Sequence, residues 1–150
     1  MARFWDTSVV IPLLVHEPTT SLLFTALKDD RHMIVWWGTR VECNSALARR
    51  GREGVLSPQE ELEARRVLNS LDSSWSEVQP TDRVRSTAER LLAVHPLRAA
   101  DALQLASALV WSDGVPGGRV FVCRDGRLRE AARKEGFTVQ PTESSLHQNT

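Results

Sequence analysis

Residues 4–14 decide the fold, and they read Phe4-Trp5-Asp6-Thr7-Ser8-Val9-Val10-Ile11-Pro12-Leu13-Leu14. Phe4 and Trp5 favour a β-strand, and Asp6 begins a polar cluster of the kind that caps a helix. Apolar residues follow at helical spacing, so the stretch predicts a strand, a tight turn and a helix. Taken alone, Asp6 is best explained as a helix cap. It also lies at the carboxyl end of a strand, which is where open α/β sheets bind their ligands.

The rest of the chain alternates between helical and strand-like patterns. After the first strand, the strand-like segments are 33–37, 75–78, 119–123 and 137–139. Helical patterns separate them instead of hairpin turns, which favours parallel strands joined by crossovers. The sequence therefore predicts a three-layer α/β fold, with a mostly parallel sheet of four or five strands and helices on both faces. Residues 1–140 are expected to form a single domain, and residues 141–150 a polar, frayed tail.

Composition limits the classes of function. The chain has 150 residues and a formal net charge of zero, which argues against binding nucleic acid through bulk electrostatics alone. Any nucleic-acid contact would have to be local or be assisted by a bound cation. No apolar run reaches membrane-spanning length and no signal peptide is recognised, so we expect a soluble, cytoplasmic protein with no membrane partner. Cys43 and Cys123 lack the close pairing of a zinc or redox motif and are expected to be reduced thiols in the core.

Four acids are candidates for a shared site. Asp6 follows the first strand, Asp125 follows the fourth, and Glu42 lies in the first helical turn after the second. Because parallel strands end at the same edge of a sheet, these three side chains are expected to meet there. Asp101 begins the most apolar helix, where a core would accept Ala or Leu. No strand precedes it, so its placement depends on how that helix packs.

Carboxylates gathered in one cleft repel each other unless a cation neutralises them. Mg²⁺, with Mn²⁺ as a substitute, prefers oxygen ligands and takes only a few carboxylates from protein. Such an ion binds phosphate oxygens and lowers the pKa of a coordinated water, which is one route to phosphodiester hydrolysis. The acids therefore indicate a metal-dependent hydrolase of phosphodiesters.

The segments around the acids resemble the four acidic motifs of the PIN domain superfamily, and most closely the VapC-type toxin ribonucleases of bacterial toxin–antitoxin pairs. They read Phe4-Trp5-Asp6-Thr7-Ser8, Thr39-Arg40-Val41-Glu42, Arg98-Ala99-Ala100-Asp101-Ala102-Leu103-Gln104-Leu105-Ala106 and Phe121-Val122-Cys123-Arg124-Asp125-Gly126-Arg127-Leu128. The resemblance extends to about Val139. It implies metal-dependent endonucleolytic cleavage of RNA by a homodimer that a VapB-type antitoxin holds inactive.

The resemblance also implies roles for single residues. Asp6, Glu42, Asp101 and Asp125 would be the catalytic, metal-binding acids. Thr7 or Ser8 would supply a supporting hydroxyl. Many relatives have a second hydroxyl near the fourth acid, where this chain has Cys123-Arg124.

Several arginines lie near the acids in sequence. Arg98, Arg124 and Arg40 are candidates for substrate binding, as part of a positive rim that receives RNA phosphates. The alternative is that they form surface ion pairs of little energetic consequence. Three arginines at the end of a helix, Arg49, Arg50 and Arg52, are expected to be solvated.

Two other functions use a similar sheet. Aspartate-nucleophile phosphatases need a second Asp where this chain has Ser8, and phosphotransfer receivers need a lysine after a later strand. Lys28 and Lys134 are the only lysines, and neither follows a predicted strand of that kind. A catalytically silent module that binds RNA or protein is the remaining alternative.

Overall fold

The computed structural model describes residues 1–30 and 32–148. Within them, five strands form one fully parallel sheet in the order β3-β2-β1-β4-β5. The strands are β1 (Arg3–Trp5), β2 (Met33–Trp36), β3 (Ser76–Val78), β4 (Val120–Val122) and β5 (Thr138–Gln140). Phe4 of the central strand pairs with Ile34 on one side and Phe121 on the other. The predicted parallel α/β sheet is confirmed.

Helices cover both faces of the sheet. Over the same residues there are eight: α1 (Thr7–Leu14), α2 (Thr20–Asp29), α3 (Thr39–Arg52), α4 (Pro58–Asp72), α5 (Asp82–Val94), α6 (Ala99–Trp111), α7 (Gly126–Glu135) and α8 (Glu143–Gln148). Helices α1 to α4 contribute to one core, and α5, α6 and α7 to the other. Phe4 and Trp5 belong to different cores because consecutive strand residues point to opposite faces. This arrangement gives the predicted three layers.

Helix α6 is buried over much of its length. Leu105, Ala106 and Ala108 are fully buried in it, and the helix packs on α5 and on β2. Its first turn therefore comes to the sheet although no strand directly precedes it, which places Asp101 where the other acids are.

The C-terminal segment is more ordered than the sequence predicts. Residues Glu143–Gln148 form α8, whereas we expected a frayed tail; Asn149 and Thr150 lie outside the described residues. The buried Arg129 donates to the main-chain oxygens of Cys123 and Pro141, both at 2.6 Å. These two bonds join the start of the tail to the loop after β4, so the tail is attached to the domain. No helix in residues 1–30 and 32–148 combines the length and apolarity that a membrane span needs.

Candidate active site

Asp6 is the most buried of the four acids, at 4% exposure. It ends β1 and caps α1, because its Oδ2 accepts a hydrogen bond of 3.1 Å from the main-chain nitrogen of Ser8. Burial raises the pKa of Asp6 to about 6, and the charge of Asp101 adds to the rise, although the bonds from Ser8 oppose it. A carboxylate retained in so dry a place is unfavourable unless a cation or a proton compensates it.

Glu42 extends from the first turn of α3 and meets the charges of the other acids. Burial and the charges of Asp6 and Asp101 together raise its pKa to about 7. Hydrogen bonds from the Thr7 hydroxyl and the Gln104 amide act in the opposite direction. The Thr7 hydroxyl therefore lies against the Glu42 carboxylate and stabilises its charged form.

Gln104 is a site residue that sequence reasoning missed. It is 1% exposed. Its Nε2 lies 2.8 Å from Thr7 Oγ1, 3.0 Å from Thr39 Oγ1 and 3.3 Å from Glu42 Oε1. Its Oε1 is buried and has no hydrogen-bond partner among the described residues. The available signal was a polar amide in the most apolar helix, three residues after Asp101.

Asp101 and Asp125 complete the group. Together with Glu42 they line a cleft of about 630 Å³. Burial raises the pKa of Asp101, and the charge of Asp125 adds to the effect. Asp125 also caps α7, since its Oδ1 accepts from the nitrogen of Leu128 at 3.0 Å. Each acid is thus electrostatically coupled to at least one of the others, and the structure brings all four predicted residues together.

Cys123 and Ser8 lie beside Asp6 on one side of the site. The Sγ of Cys123 lies 3.6 Å from Asp6 Oδ2 and 3.9 Å from Ser8 Oγ. Ser8 Oγ also accepts from the main-chain nitrogen of Arg124 at 3.1 Å. Burial raises the pKa of the Cys123 thiol, so it stays protonated and can donate to the carboxylate. Both cysteines are free and buried, as predicted.

The arginines are distributed differently from the prediction. Arg98 lines the acid cleft together with Arg49 and Arg127. Arg124 lies in a neighbouring cleft, which Arg49 also lines. Arg40 instead reaches α4, where it lies 2.6 Å from Asn69 and 3.1 Å from Asp72, and it lines neither cleft.

The donor set suits a hard divalent cation. In residues 1–30 and 32–148, no group of three or more acidic, His or Cys side chains is already placed so that it could hold a metal ion. An open cleft is still compatible with Mg²⁺, which keeps several waters and needs few protein ligands. All four donors are carboxylate oxygens, and burial raises the pKa of three of them; a bound cation would relieve this cost.

Comparison with known proteins agrees with this geometry. The family model described as the PIN domain matches residues 3–134. Ribonuclease VapC45 of Mycobacterium tuberculosis strain CDC 1551 is 33% identical over 143 residues, which are 93% of this chain and 95% of that protein. Ribonuclease VapC49 of strain H37Rv has the same identity and coverage. The chain therefore belongs to the PIN domain family, as its four acidic motifs predicted.

Proposed function

We propose that this protein is a metal-dependent endoribonuclease and the toxin of a VapBC-type toxin–antitoxin pair. Two relatives named as VapC ribonucleases match it over nearly their whole length. The observation that carries the proposal is a cleft lined by three carboxylates and three arginines, with a fourth carboxylate, the buried Asp6, close enough for its charge to act on Glu42. Neither the phosphatase nor the receiver alternative needs such a set.

Asp6, Glu42, Asp101 and Asp125 would hold Mg²⁺ or Mn²⁺. When bound, such an ion activates a water and stabilises negative charge on the phosphate. The residues of the chain orient these ligands. Thr7 and Gln104 hold the Glu42 carboxylate, and the backbone nitrogens at the starts of α1 and α7 fix the carboxylates that cap them.

Arginines at the rim would bind the substrate. Arg98 lies close enough to Asp101 for its charge to lower the pKa of that carboxyl, and it faces the acid cleft. Guanidinium groups bind phosphate oxygens in a bidentate manner. We retain Arg98 and Arg124 as substrate-binding residues and place Arg49 in the role first given to Arg40. An RNA substrate, a VapB-type antitoxin, a homodimer and a cytoplasmic location complete the proposal.

The test is cleavage of single-stranded RNA with Mn²⁺ by the full chain and three variants. Asp101→Asn and Asp6→Ala remove predicted ligands. Asp113→Asn is the matched control, because Asp113 has an exposed side chain and a φ of 53° that Asn tolerates. We expect the wild type and the control to cleave equally, and the two site variants to lose at least a hundredfold in rate, consistent with the loss of metal-bound charge.

A chelator should stop cleavage and added Mn²⁺ should restore it. Calorimetric titration should detect Mn²⁺ binding to the wild type and to Asp113→Asn, and weaker binding to Asp101→Asn. Cleavage by Asp101→Asn at the wild-type rate, with an unchanged melting temperature, would overturn the assignment of the site.

A further inference from the structure

A second cleft adjoins the acid cleft. It has a volume of about 480 Å³ and is lined by Arg49, Arg50 and Arg124 among other residues. Glu42 and Arg49 line both clefts, so the two are continuous at these side chains. A chain bound at the acids could therefore extend into the second cleft.

Glu17 connects two of these arginines. Its Oε1 lies 2.8 Å from Nη2 of Arg50, and its Oε2 lies 2.9 Å from Nη1 of Arg124. The same Nη1 donates to Thr19 Oγ1 at 3.1 Å. The Glu17 side chain is 17% exposed, so this ion pair is better shielded from solvent than an ordinary surface pair. Residues from the α1–α2 connection, α3 and the loop after β4 thus hold each other in place.

The cluster keeps excess positive charge. Three guanidinium groups face two carboxylates: Glu17, which is bound to two of them, and Glu42, which lines the same cleft. Each guanidinium has five donors, of which the contacts to Glu17 and Thr19 occupy few. Nη1 of Arg50 is buried without a hydrogen-bond partner in the part of the chain that the structure describes. The cluster therefore has donors and charge available for an anionic ligand.

We propose that this arginine cluster (Arg49, Arg50 and Arg124) binds a phosphate of single-stranded RNA that flanks the phosphate being cleaved, and that Glu17 is its positioning residue. The inference rests on the proposed nuclease function, because it takes the acid cleft as the place of cleavage. Contacts to phosphates away from the reacting bond fix the register of the substrate. Arginines held in place before binding lose less conformational entropy when the phosphate arrives.

The experiment compares steady-state cleavage of an RNA of about ten nucleotides with that of a dinucleotide, in Mn²⁺, by the full chain. Arg50→Gln removes one cationic contact. Arg66→Gln is the control, since Arg66 is an exposed arginine of α4 that lines neither cleft. We expect Arg50→Gln to raise KM about tenfold on the longer RNA with less than a twofold change in kcat, because a lost charge-assisted contact is worth about 1.5 kcal/mol. On the dinucleotide, which cannot fill both clefts, the variant should resemble the wild type.

Salt dependence gives a second measurement that does not rely on chemistry. RNA binding is measured by fluorescence anisotropy in the Asp101→Asn background at several salt concentrations. Arg50→Gln should reduce the magnitude of the slope of log affinity against log salt by about 0.7. Arg50→Lys should restore that slope, because it retains the charge. Lys should recover KM only in part, because it lacks the planar fork.

Glu17→Gln tests the positioning role. If Glu17 orients the arginines, KM rises with kcat unchanged. If it merely competes with the phosphate, KM falls, and that result would overturn its assigned role. If the wild type cleaves RNA and Arg50→Gln leaves KM unchanged, the phosphate subsite is refuted and the nuclease function is not. If the same variant instead binds a partner protein more weakly, the cluster binds an acidic protein segment and not RNA. Absence of cleavage by the wild type would refute the nuclease function itself.

Discussion

Gln104 offers the sharpest test of how the site is held, because a single substitution should separate stability from function. We consider Gln104→Leu, which keeps the approximate volume of the side chain and removes its amide. In the structure this amide donates to Glu42 and to two threonine hydroxyls, Thr7 and Thr39. We expect weaker Mn²⁺ binding and slower cleavage with little change in the free energy of unfolding.

The magnitude follows from two opposing effects on stability. The amide nitrogen has two hydrogens, which these three acceptors share, so Leu loses the equivalent of two hydrogen bonds, together worth about 2–2.5 kcal/mol. Leu also removes the buried Oε1 of Gln104, which has no partner among the described residues and costs about 1–3 kcal/mol to keep there. An apolar side chain suits the surroundings, since Leu105 and Ala108 of the same helix are fully buried in the core. The net loss of unfolding free energy should therefore stay below about 1.5 kcal/mol.

The effect on the site has no such compensation. Glu42 loses one of the two donors that orient its carboxylate, Thr7 being the other. Substitution of a residue that orients a metal ligand costs about 10–100-fold in metal affinity or activity. We expect the affinity for Mn²⁺ to fall about tenfold and kcat to fall by at least as much.

The assays are calorimetric titration with Mn²⁺, cleavage of single-stranded RNA and urea denaturation followed by circular dichroism. Ser107→Ala is the matched control: Ser107 is a buried polar residue of the same helix whose hydroxyl donates to the main-chain oxygen of Leu103. The control should retain wild-type affinity and rate. The reasoning would be refuted if Gln104→Leu lowered the free energy of unfolding by more than about 3 kcal/mol and left the Mn²⁺ affinity unchanged. Gln104 would then stabilise the core without orienting Glu42.

Two further predictions concern stability away from the site. Burial alone would raise the pKa of Glu135, but hydrogen bonds of 2.7 Å from Arg90 and His95 outweigh it and lower that pKa below 4.5. At pH 7 Glu135→Gln should therefore lower the free energy of unfolding by about 1 kcal/mol, a value kept small because Arg90 is half exposed. The stabilisation by this carboxylate is fully present above its unfolded pKa and is lost as pH falls through the lowered folded pKa. In urea titrations, the difference in unfolding free energy between the wild type and Glu135→Gln should therefore shrink below pH 4.5. A difference that stays constant with pH would contradict the role of the charge. Gly136→Ala should lower the free energy of unfolding, measured by thermal denaturation, by about 1–2 kcal/mol. Gly136 ends α7 with a φ of 115°, and an added Cβ would lie 3.0 Å from Pro116. Equal stability of the variant would show that the turn relaxes.

The positions of three acids follow from sequence by a simple rule. Asp6 directly follows β1, Asp125 lies in the short connection after β4, and Glu42 lies in the first turn of the helix after β2. In a parallel sheet these places share one edge, so predicting the strands was enough to predict the meeting of the side chains. Asp101 needed more, because α6 follows another helix. The family resemblance made the position of Asp101 predictable. In the structure, that position results from the packing of α6 on β2.

The C-terminal helix could not be predicted by the same reasoning. The tail is polar and has few apolar residues, which is typical of a frayed end. The start of the tail accepts a hydrogen bond from Arg129, a charged residue whose burial the pattern of α7 does not indicate. Two main-chain oxygens, of Cys123 and Pro141, compensate that buried guanidinium, and both come from elsewhere in the fold. Patterns within α7 do not predict hydrogen-bond partners that come from other parts of the chain.

The positions of the arginines follow from their angular spacing on the helix. Arg40 was chosen because it lies two residues from Glu42, yet two residues turn a helix by about 200°, so Arg40 projects to the opposite side and binds α4. Arg49 lies seven residues after Glu42, which is almost two full turns, and it consequently projects on the same side and lines the same cleft. Gln104, three residues after Asp101, follows the same rule. On a helix the angular spacing from a known site residue, and not the distance along the sequence, indicates which side chains can reach the substrate.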